Sequence, residues 1–151
     1  MKALFFIGLF SWLAGLGVIP NPPAGSGVVL RSYSPPATEF GRGHRGVDLD
    51  AMPDEFVATP ISGVVHFAGY VVDRPVLTIA TATILMTFEP VDSFLIKGQQ
   101  VTKGEIVGWV GLGGHCDQYC IHVGVRRIGT KIYLDPMPYL LGIPRLLPAT
   151  P

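Results

Sequence analysis

The feature that most constrains the fold is a series of short segments rich in β-branched and aromatic residues, separated by clusters of glycine, proline or aspartate. Such segments are typical of β-strands, whereas an amphipathic helix needs apolar residues every three to four positions. No convincing helical period follows the N-terminal segment. The sequence therefore predicts an all-β domain, an antiparallel sandwich or barrel with proline-rich ends. The predicted strands cover residues 63–68, 76–80, 83–88, 106–110 and 121–125.

The length of the chain allows one such domain. With 151 residues, of which 48% are hydrophobic, it can bury a single core but not two. The 11 basic and 11 acidic side chains cancel, so no overall field attracts the protein to nucleic acid or to anionic lipid. Any partner must therefore be recognised locally.

Residues 1–25 are predicted to form an export signal or an N-terminal anchor, and residues 26–151 the folded domain. Lys2 supplies a positive start, residues 3–19 carry no charge, and the prolines that follow end any helix. An uncleaved anchor is the alternative, although an apolar stretch of about 17 residues is at the lower limit for crossing a bilayer. We therefore expect a protein of the bacterial cell envelope or a secreted one, with membrane contact only through this segment if it is uncleaved.

Export changes the interpretation of the two cysteines. Cys116 and Cys120 lie in a glycine-containing loop that enters an apolar run, and in an oxidising compartment such a pair is predicted to form a disulfide. The alternative is that Cys120 is a thiolate ligand of a metal, because it lies two residues before His122 and a strand points such residues to one face. Only one of these can hold for Cys120.

Three polar residues form a candidate metal site: His44 and Asp48, four residues apart around Gly46, and His122 on a late apolar segment. Imidazole nitrogen and carboxylate oxygen are suitable zinc ligands, and three protein ligands leave a position open for water, as in catalytic zinc sites. In a straight strand His44 and Asp48 would lie about 13 Å apart. The site therefore requires the chain to bend at Gly46.

Each candidate ligand also has a simpler interpretation. His44 and Asp48 are explained equally well as a solvated or hydrogen-bonded pair in a loop, and His122 as a core histidine bonded to a backbone carbonyl. Asp50 is a rival oxygen donor, because a shift of two residues keeps the same face of a strand. The residue pattern alone leaves these alternatives open.

Five sequence blocks together resemble the lysostaphin/LytM-type zinc metallopeptidases in order and spacing, over about residues 26–141. They comprise residues 43–48, 57–65 with 67–69, 96–108, 121–123 and 133–136. The resemblance implies a β-rich domain of the duplicated hybrid motif kind, with an antiparallel sheet lining a groove. It implies Zn²⁺ held by His44, Asp48 and His122, and hydrolysis of peptide bonds in bacterial peptidoglycan. Asp50 then has a supporting or surface role.

Two positions depart from the family pattern. Cys120 stands where the family has the first histidine of its His-x-His motif, and Glu89 stands where it has a further histidine beside the metal. His115, in the adjoining loop, is a candidate replacement near the metal. Glu89 is a candidate acid/base, since a positioned proton donor typically contributes 10²–10⁴-fold to amide hydrolysis.

Two functional hypotheses follow from these observations. The first is a secreted zinc endopeptidase of peptidoglycan, with Glu89 as the acid/base and weakened catalysis. The second is a degenerate member of the family that binds peptidoglycan peptide or regulates another wall hydrolase without cleaving it.

Overall fold

A computed structural model of the protein describes residues 19–116 and 118–142. In that part of the chain the secondary structure is almost entirely β, with one 3₁₀ turn at Gly114–Cys116 and one short helix, α1, at Met137–Leu140. The strands are β1 Val29–Arg31, β2 Gly46–Asp50, β3 Phe56–Ala58, β4 Gly63–Val71, β5 Arg74–Ala80, β6 Ile84–Glu89, β7 Val91–Asp92, β8 Gln100–Val101, β9 Ile106–Val110, β10 Cys120–Arg127 and β11 Tyr133–Leu134. The predicted all-β fold is confirmed.

The strands form two antiparallel sheets. The larger has eight strands in the order β1-β2-β10-β6-β5-β4-β8, with β11 paired to β10, and the smaller has the order β3-β9-β7. The late strand β10 lies between β2 and β6, so residues from the beginning and the end of the domain become neighbours. This placement allows residues far apart in the sequence to build one site.

Buried residues of both sheets belong to one hydrophobic cluster, as the predicted single core requires. Its largest fully buried members are Phe88, Ile19, Leu49, Leu77, Ile79, Met86 and Ile121. The central strands β5 and β6 supply many of these side chains because their runs of apolar residues fit a sheet that is covered by other parts of the domain.

The segment predicted as a signal or anchor lies mostly outside the described residues. Of its last part, Ile19 and Ala24 are buried in the core, and the amide of Ala58 donates to the carbonyl of Pro23. Residues 19–25 therefore pack with the domain. Within the described residues, no helix has both the length and the apolar character needed to cross a bilayer.

Candidate metal centre

Three polar side chains lie in one row across neighbouring strands of the large sheet. His122 of β10 is directly paired with Asp48 of β2 on one side and with Glu89 of β6 on the other. Directly opposed residues of antiparallel strands point their side chains to the same face. The sheet register alone thus brings these three residues together.

His44 joins this row from outside the strands. Its backbone forms two hydrogen bonds with Ser34, in an isolated bridge before β2 begins at Gly46. Its Nε2 lies 3.1 Å from Asp48 Oδ1. Side chains this short cannot span the separation of a straight strand, so the chain bends between the two residues, as the site required.

Gly46 provides the space for this arrangement. A Cβ atom added to it would lie 2.5 Å from His122 Nε2 and would also collide with the carbonyl oxygen of Val123. Any side chain at this position must therefore displace the imidazole of His122 or separate β2 from β10. Space, rather than an unusual φ angle, explains the glycine here.

His115 is the fourth member of the cluster. It lies in the 3₁₀ turn Gly114–Cys116, and its Nε2 is 2.9 Å from Asp48 Oδ1, while His122 Nδ1 is 2.7 Å from the same oxygen. The side chain of His115 is 45% exposed, whereas those of His44 and Asp48 are each 6% exposed. His115 therefore closes the solvent side of the cluster.

A disulfide ties the loop that carries His115 to the start of β10. It joins Cys116 to Cys120, and the two Cα atoms are 4.8 Å apart. The predicted disulfide is confirmed. The alternative, that Cys120 is a thiolate ligand, is wrong because its sulfur is already in this covalent bond. For the same reason Cys120 has no thiol with which to exchange a proton.

The electrostatics of the cluster keep Asp48 ionised. Burial by itself would raise the pKa of its carboxyl group, but hydrogen bonds and charge interactions with His122 and His115 outweigh that effect and lower the pKa from 3.8 to about 2. A carboxylate in this environment is fully charged at neutral pH. It is therefore available as a ligand for a cation.

The donor set itself fits a divalent metal ion. Ligand atoms from His44, Asp48, His115 and His122 all lie within 4.8 Å of one another. His44 Nδ1 lies 2.8 Å from the carbonyl oxygen of Ser32, to which it donates in one tautomer, so that Nε2 of the neutral ring turns a lone pair toward Asp48. A metal ion between or beside them would relieve the repulsion of two lone pairs that face each other. Nitrogen and oxygen donors of this kind are zinc ligands.

Glu89 has a different environment from the one expected for an acid/base. Its Oε2 accepts a hydrogen bond of 2.9 Å from Arg74 Nε, and its Oε1 accepts a longer one of 3.4 Å from Arg74 Nη2. Arg74 lies at the start of β5 and also contacts the exposed carboxylate of Asp73. The carboxylate of Glu89 is thus held in an ion pair beside the cluster.

Two other polar residues, the rival oxygen donor Asp50 and the strand residue His66, lie outside the histidine–aspartate cluster. Asp50 accepts a hydrogen bond of 2.6 Å from the hydroxyl of Ser26. His66 is exposed on β4, away from the four clustered residues. Arg74 was missed by the sequence reasoning, because its approach to Glu89 depends on the pairing of β5 with β6. No local feature of the sequence indicated this contact.

Comparison with known proteins decides the family. The pattern of the family described as Peptidase family M23 matches residues 42–136, which is more than half of the chain and includes all four clustered residues. The chain belongs to peptidase family M23.

The curated relatives of this M23 protein are described as uncharacterised proteins. Proteins from Mycobacterium tuberculosis and Mycobacterium bovis are 34% identical to it over 133 residues, which cover 84% of this chain. The match covers 52% of each relative, so the chain spans about half the length of the curated proteins it matches. Their descriptions add no activity, and the family assignment rests on the match to residues 42–136.

Solved structures share the fold. The catalytic domain of the antimicrobial peptidase lysostaphin from Staphylococcus simulans superposes with a TM-score of 0.63 at 22% identity, covering 72% of this chain and 88% of that one. The catalytic domain of the M23 protein EnpA from Enterococcus faecalis gives 0.62 at 22% identity, with 77% and 94% covered. A zinc-containing peptidase from Vibrio cholerae gives 0.61 at 19% identity, with 77% and 38% covered. These similarities show a common fold.

Proposed function

We propose that this M23 protein is an exported zinc endopeptidase that cleaves peptide bonds of bacterial peptidoglycan. The observation that carries the proposal is the convergence of three imidazoles on one buried carboxylate within the region that matches the family. Family membership supports a peptidase-like role. The solved relatives described as peptidases, one of them zinc-containing, support the same chemistry.

His44, Asp48 and His122 would hold the zinc ion, because they are the less exposed members of the cluster and the sheet fixes two of them. Zinc at such a site supplies Lewis acidity, which polarises a carbonyl group and acidifies water. The Nδ1 contact of His44 with Ser32 orients its ring, and the ion-paired environment of Asp48 keeps that group charged. These residues therefore present a ready-made donor set.

His115 is the group that we assign to proton transfer and to the stabilisation of negative charge on the substrate. Its Nε2 faces the cluster while much of the side chain faces solvent, where a peptide would enter. Glu89, the candidate from the sequence, is less suited because both of its oxygens are engaged by Arg74. Neither oxygen is free to take up a proton without loss of that ion pair.

A degenerate, non-cleaving family member is the second candidate. The observation that favours it is that a disulfide sulfur and an ion-paired carboxylate stand at the two positions where the sequence departs from the family pattern. Such a protein would bind peptidoglycan peptide without hydrolysing it.

One assay separates the two candidates. Purified protein with one equivalent of zinc is incubated with peptidoglycan, and new amino termini are counted. The endopeptidase releases them, and His44→Ala abolishes the release, whereas His66→Ala, which changes an exposed histidine outside the cluster, leaves it intact. Stoichiometric zinc with no release at high protein concentration rejects the endopeptidase.

A further inference from the structure

A groove next to the candidate metal centre carries a concentration of positive charge. It has a volume of about 510 Å³, and its lining includes Arg45, Arg74, Arg126, Glu89, His122 and Tyr133. Three arginines and one carboxylate residue thus line the groove, although the whole chain has a net charge of zero. A local excess of this kind attracts an anionic group to one place.

The three arginines differ in how much of their charge is already neutralised. Arg74 is paired with Glu89 and Asp73. Arg45 donates to the backbone carbonyls of Glu39 and Gly41, at 3.0 and 3.2 Å, and its guanidinium lies 5.7 Å from the centre of the Tyr133 ring. Arg45 is therefore held in place, and among residues 19–116 and 118–142 no carboxylate forms an ion pair with it.

Arg126 is the least satisfied of the three. It is partly buried, and within the described part of the chain no carboxylate lies within ion-pair distance of its guanidinium. A planar guanidinium with free donors is well suited to bind a carboxylate through two parallel hydrogen bonds. Two of the three positive charges in the groove are thus available to a ligand.

The sheet aligns this charge with the metal cluster. Arg126 and His122 are both on β10 and are four residues apart, so their side chains share a face and their Cα atoms lie about 13 Å apart. Between them, Gly124 pairs with Gly46 of β2. The imidazole of His122 fills the space above Gly46, whereas Gly124 lines the groove without a side chain. A peptide lying along the groove reaches from the metal cluster to the free guanidinium within a few residues.

We propose that this groove binds a carboxylate group of the peptide substrate, within a few residues of the bond that is cleaved. The inference rests on the proposed peptidase function and makes it more specific: the substrate is an acidic peptide. Arg126 supplies the direct contact, Arg45 adds positive charge, and Tyr133 supports Arg45. Arg74 contributes less because its charge is shared with two carboxylates.

Isothermal titration calorimetry with the full-length protein tests this assignment. The probes are acetyl-Ala-Glu-Gly-Gly-amide and its counterpart with glutamine in place of glutamate, which differ only in the charge. We expect the acidic peptide to bind about five- to tenfold more tightly, as suits a charge-assisted pair at a partly exposed site. Arg126→Gln should remove this preference.

Arg127→Gln is the matched control. It removes the same charge one residue further along β10, on the opposite face of the strand, where Arg127 is exposed. If only the net charge of the protein mattered, Arg126→Gln and Arg127→Gln would lose affinity for the acidic peptide to the same extent, and that result overturns the proposal. Equal affinity for the two peptides, or binding of neither, overturns it as well.

Competition with inorganic phosphate tests whether the groove prefers a peptide carboxylate or a phosphate group. A carboxylate site should release the acidic peptide only at phosphate concentrations well above the dissociation constant of the peptide. Tighter binding of phosphate than of the peptide would assign the groove to phosphate and would overturn the proposal.

The binding assay is independent of hydrolysis. If the preference for glutamate depends on Arg126 but no amino termini are released from peptidoglycan, the groove assignment stands and the endopeptidase falls. If peptidoglycan is cleaved but the two peptides bind equally, the endopeptidase stands and the groove assignment falls.

Discussion

His115 and Glu89 both lie beside His122, but they are held there in different ways. His115 comes from a loop that a disulfide fastens to β10, and nearly half of its side chain is exposed. Glu89 comes from the register of β6, is 16% exposed, and is paired with Arg74. Proximity to a candidate metal site therefore does not by itself make a side chain a proton carrier. The group must also have an atom that is free to exchange a proton.

The loop that carries His115 and the side chain of Glu89 both contact Arg74. A Cβ atom added to Gly114, which has a φ of 68°, would lie 2.5 Å from Arg74 Cδ. The loop that carries His115 therefore rests directly against the side chain that neutralises Glu89. A glycine is required at this point because it permits both the positive φ and the close approach.

The largest effect on zinc binding and activity is expected from His122→Ala, because His122 lies next to Asp48, His115 and Glu89. Loss of this donor should reduce bound zinc from one equivalent to near zero and should lower any peptidase activity by at least about 10³-fold, as expected when a metal ligand is removed. Metal analysis and the peptidoglycan assay measure these two outcomes. Full zinc occupancy in His122→Ala would show that His122 is not a zinc ligand. His66→Ala, which should keep its zinc, is the control for loss of an imidazole elsewhere in the protein.

The next effect distinguishes the two neighbours of His122. His115→Ala should keep its zinc but lose about 10²-fold or more in turnover, as for loss of a positioned acid or base. Glu89→Gln should lose less than about tenfold, because its carboxylate is already committed to Arg74. Turnover and zinc content are measured for both variants.

Two results would reverse this comparison. A greater loss of turnover in Glu89→Gln than in His115→Ala would make Glu89 the acid/base. Loss of zinc in His115→Ala comparable with that in His44→Ala would make His115 a fourth ligand, which leaves no open position and indicates a structural metal site.

A smaller effect is expected when the loop is released from β10. Replacement of both Cys116 and Cys120 by serine should lower the free energy of unfolding by about 2 kcal/mol, the value for closing a loop this short. It should lower turnover by about tenfold while zinc remains bound, because His115 loses its fixed position. Denaturant unfolding and steady-state kinetics test this expectation. Unchanged turnover would show that the disulfide does not position His115.

The effect with the least bearing on activity is a change in stability with pH, which is measured in the metal-free protein. The pKa of Asp48 is lower in the folded state, about 2, than its usual value of 3.8, so its contribution to stability is complete above about pH 4 and is lost as the pH falls toward 2. The expected loss is on the order of 2 kcal/mol. The free energy of unfolding in the presence of chelator should therefore fall more steeply in the native protein than in Asp48→Asn over this range.

The exposed carboxylate of Asp54 provides the control for this measurement. Asp54→Asn should retain the steep fall in stability below pH 4. If Asp48→Asn and Asp54→Asn give the same pH profile, the hydrogen bonds from His115 and His122 do not hold Asp48 in its charged form.

The central part of the fold was predictable from composition, because buried strands such as β5, β6 and β10 need continuous runs of β-branched and apolar residues. The strands of two or three residues were not predicted, since they are too short to show any period. The sequence pattern also did not predict the tight turn between β4 and β5. It contains Val72 at a φ of 58°, a conformation that a β-branched residue rarely adopts, so no turn signal marks it.

The candidate site was predictable only in part. Local spacing suggested His44 and Asp48, but the choice among the alternative interpretations came from the resemblance to a family. The contacts of Glu89 with Arg74 and of Asp48 with His115 join residues 15 and 67 positions apart, and such contacts depend on sheet register and loop packing. The register of the strands cannot be derived from one sequence alone, so these contacts were not predicted.

The position of β10 between β2 and β6 has a consequence for the order of assembly. As the nascent chain grows from its N-terminus, Asp48 and Glu89 are present before the strand that lies between them. The cluster of His44, Asp48, His115 and His122 is incomplete until residues 120–127 insert into the sheet. A shorter chain that ends before this strand therefore lacks the histidine that lies next to both Asp48 and Glu89, so these two residues become linked only late in synthesis.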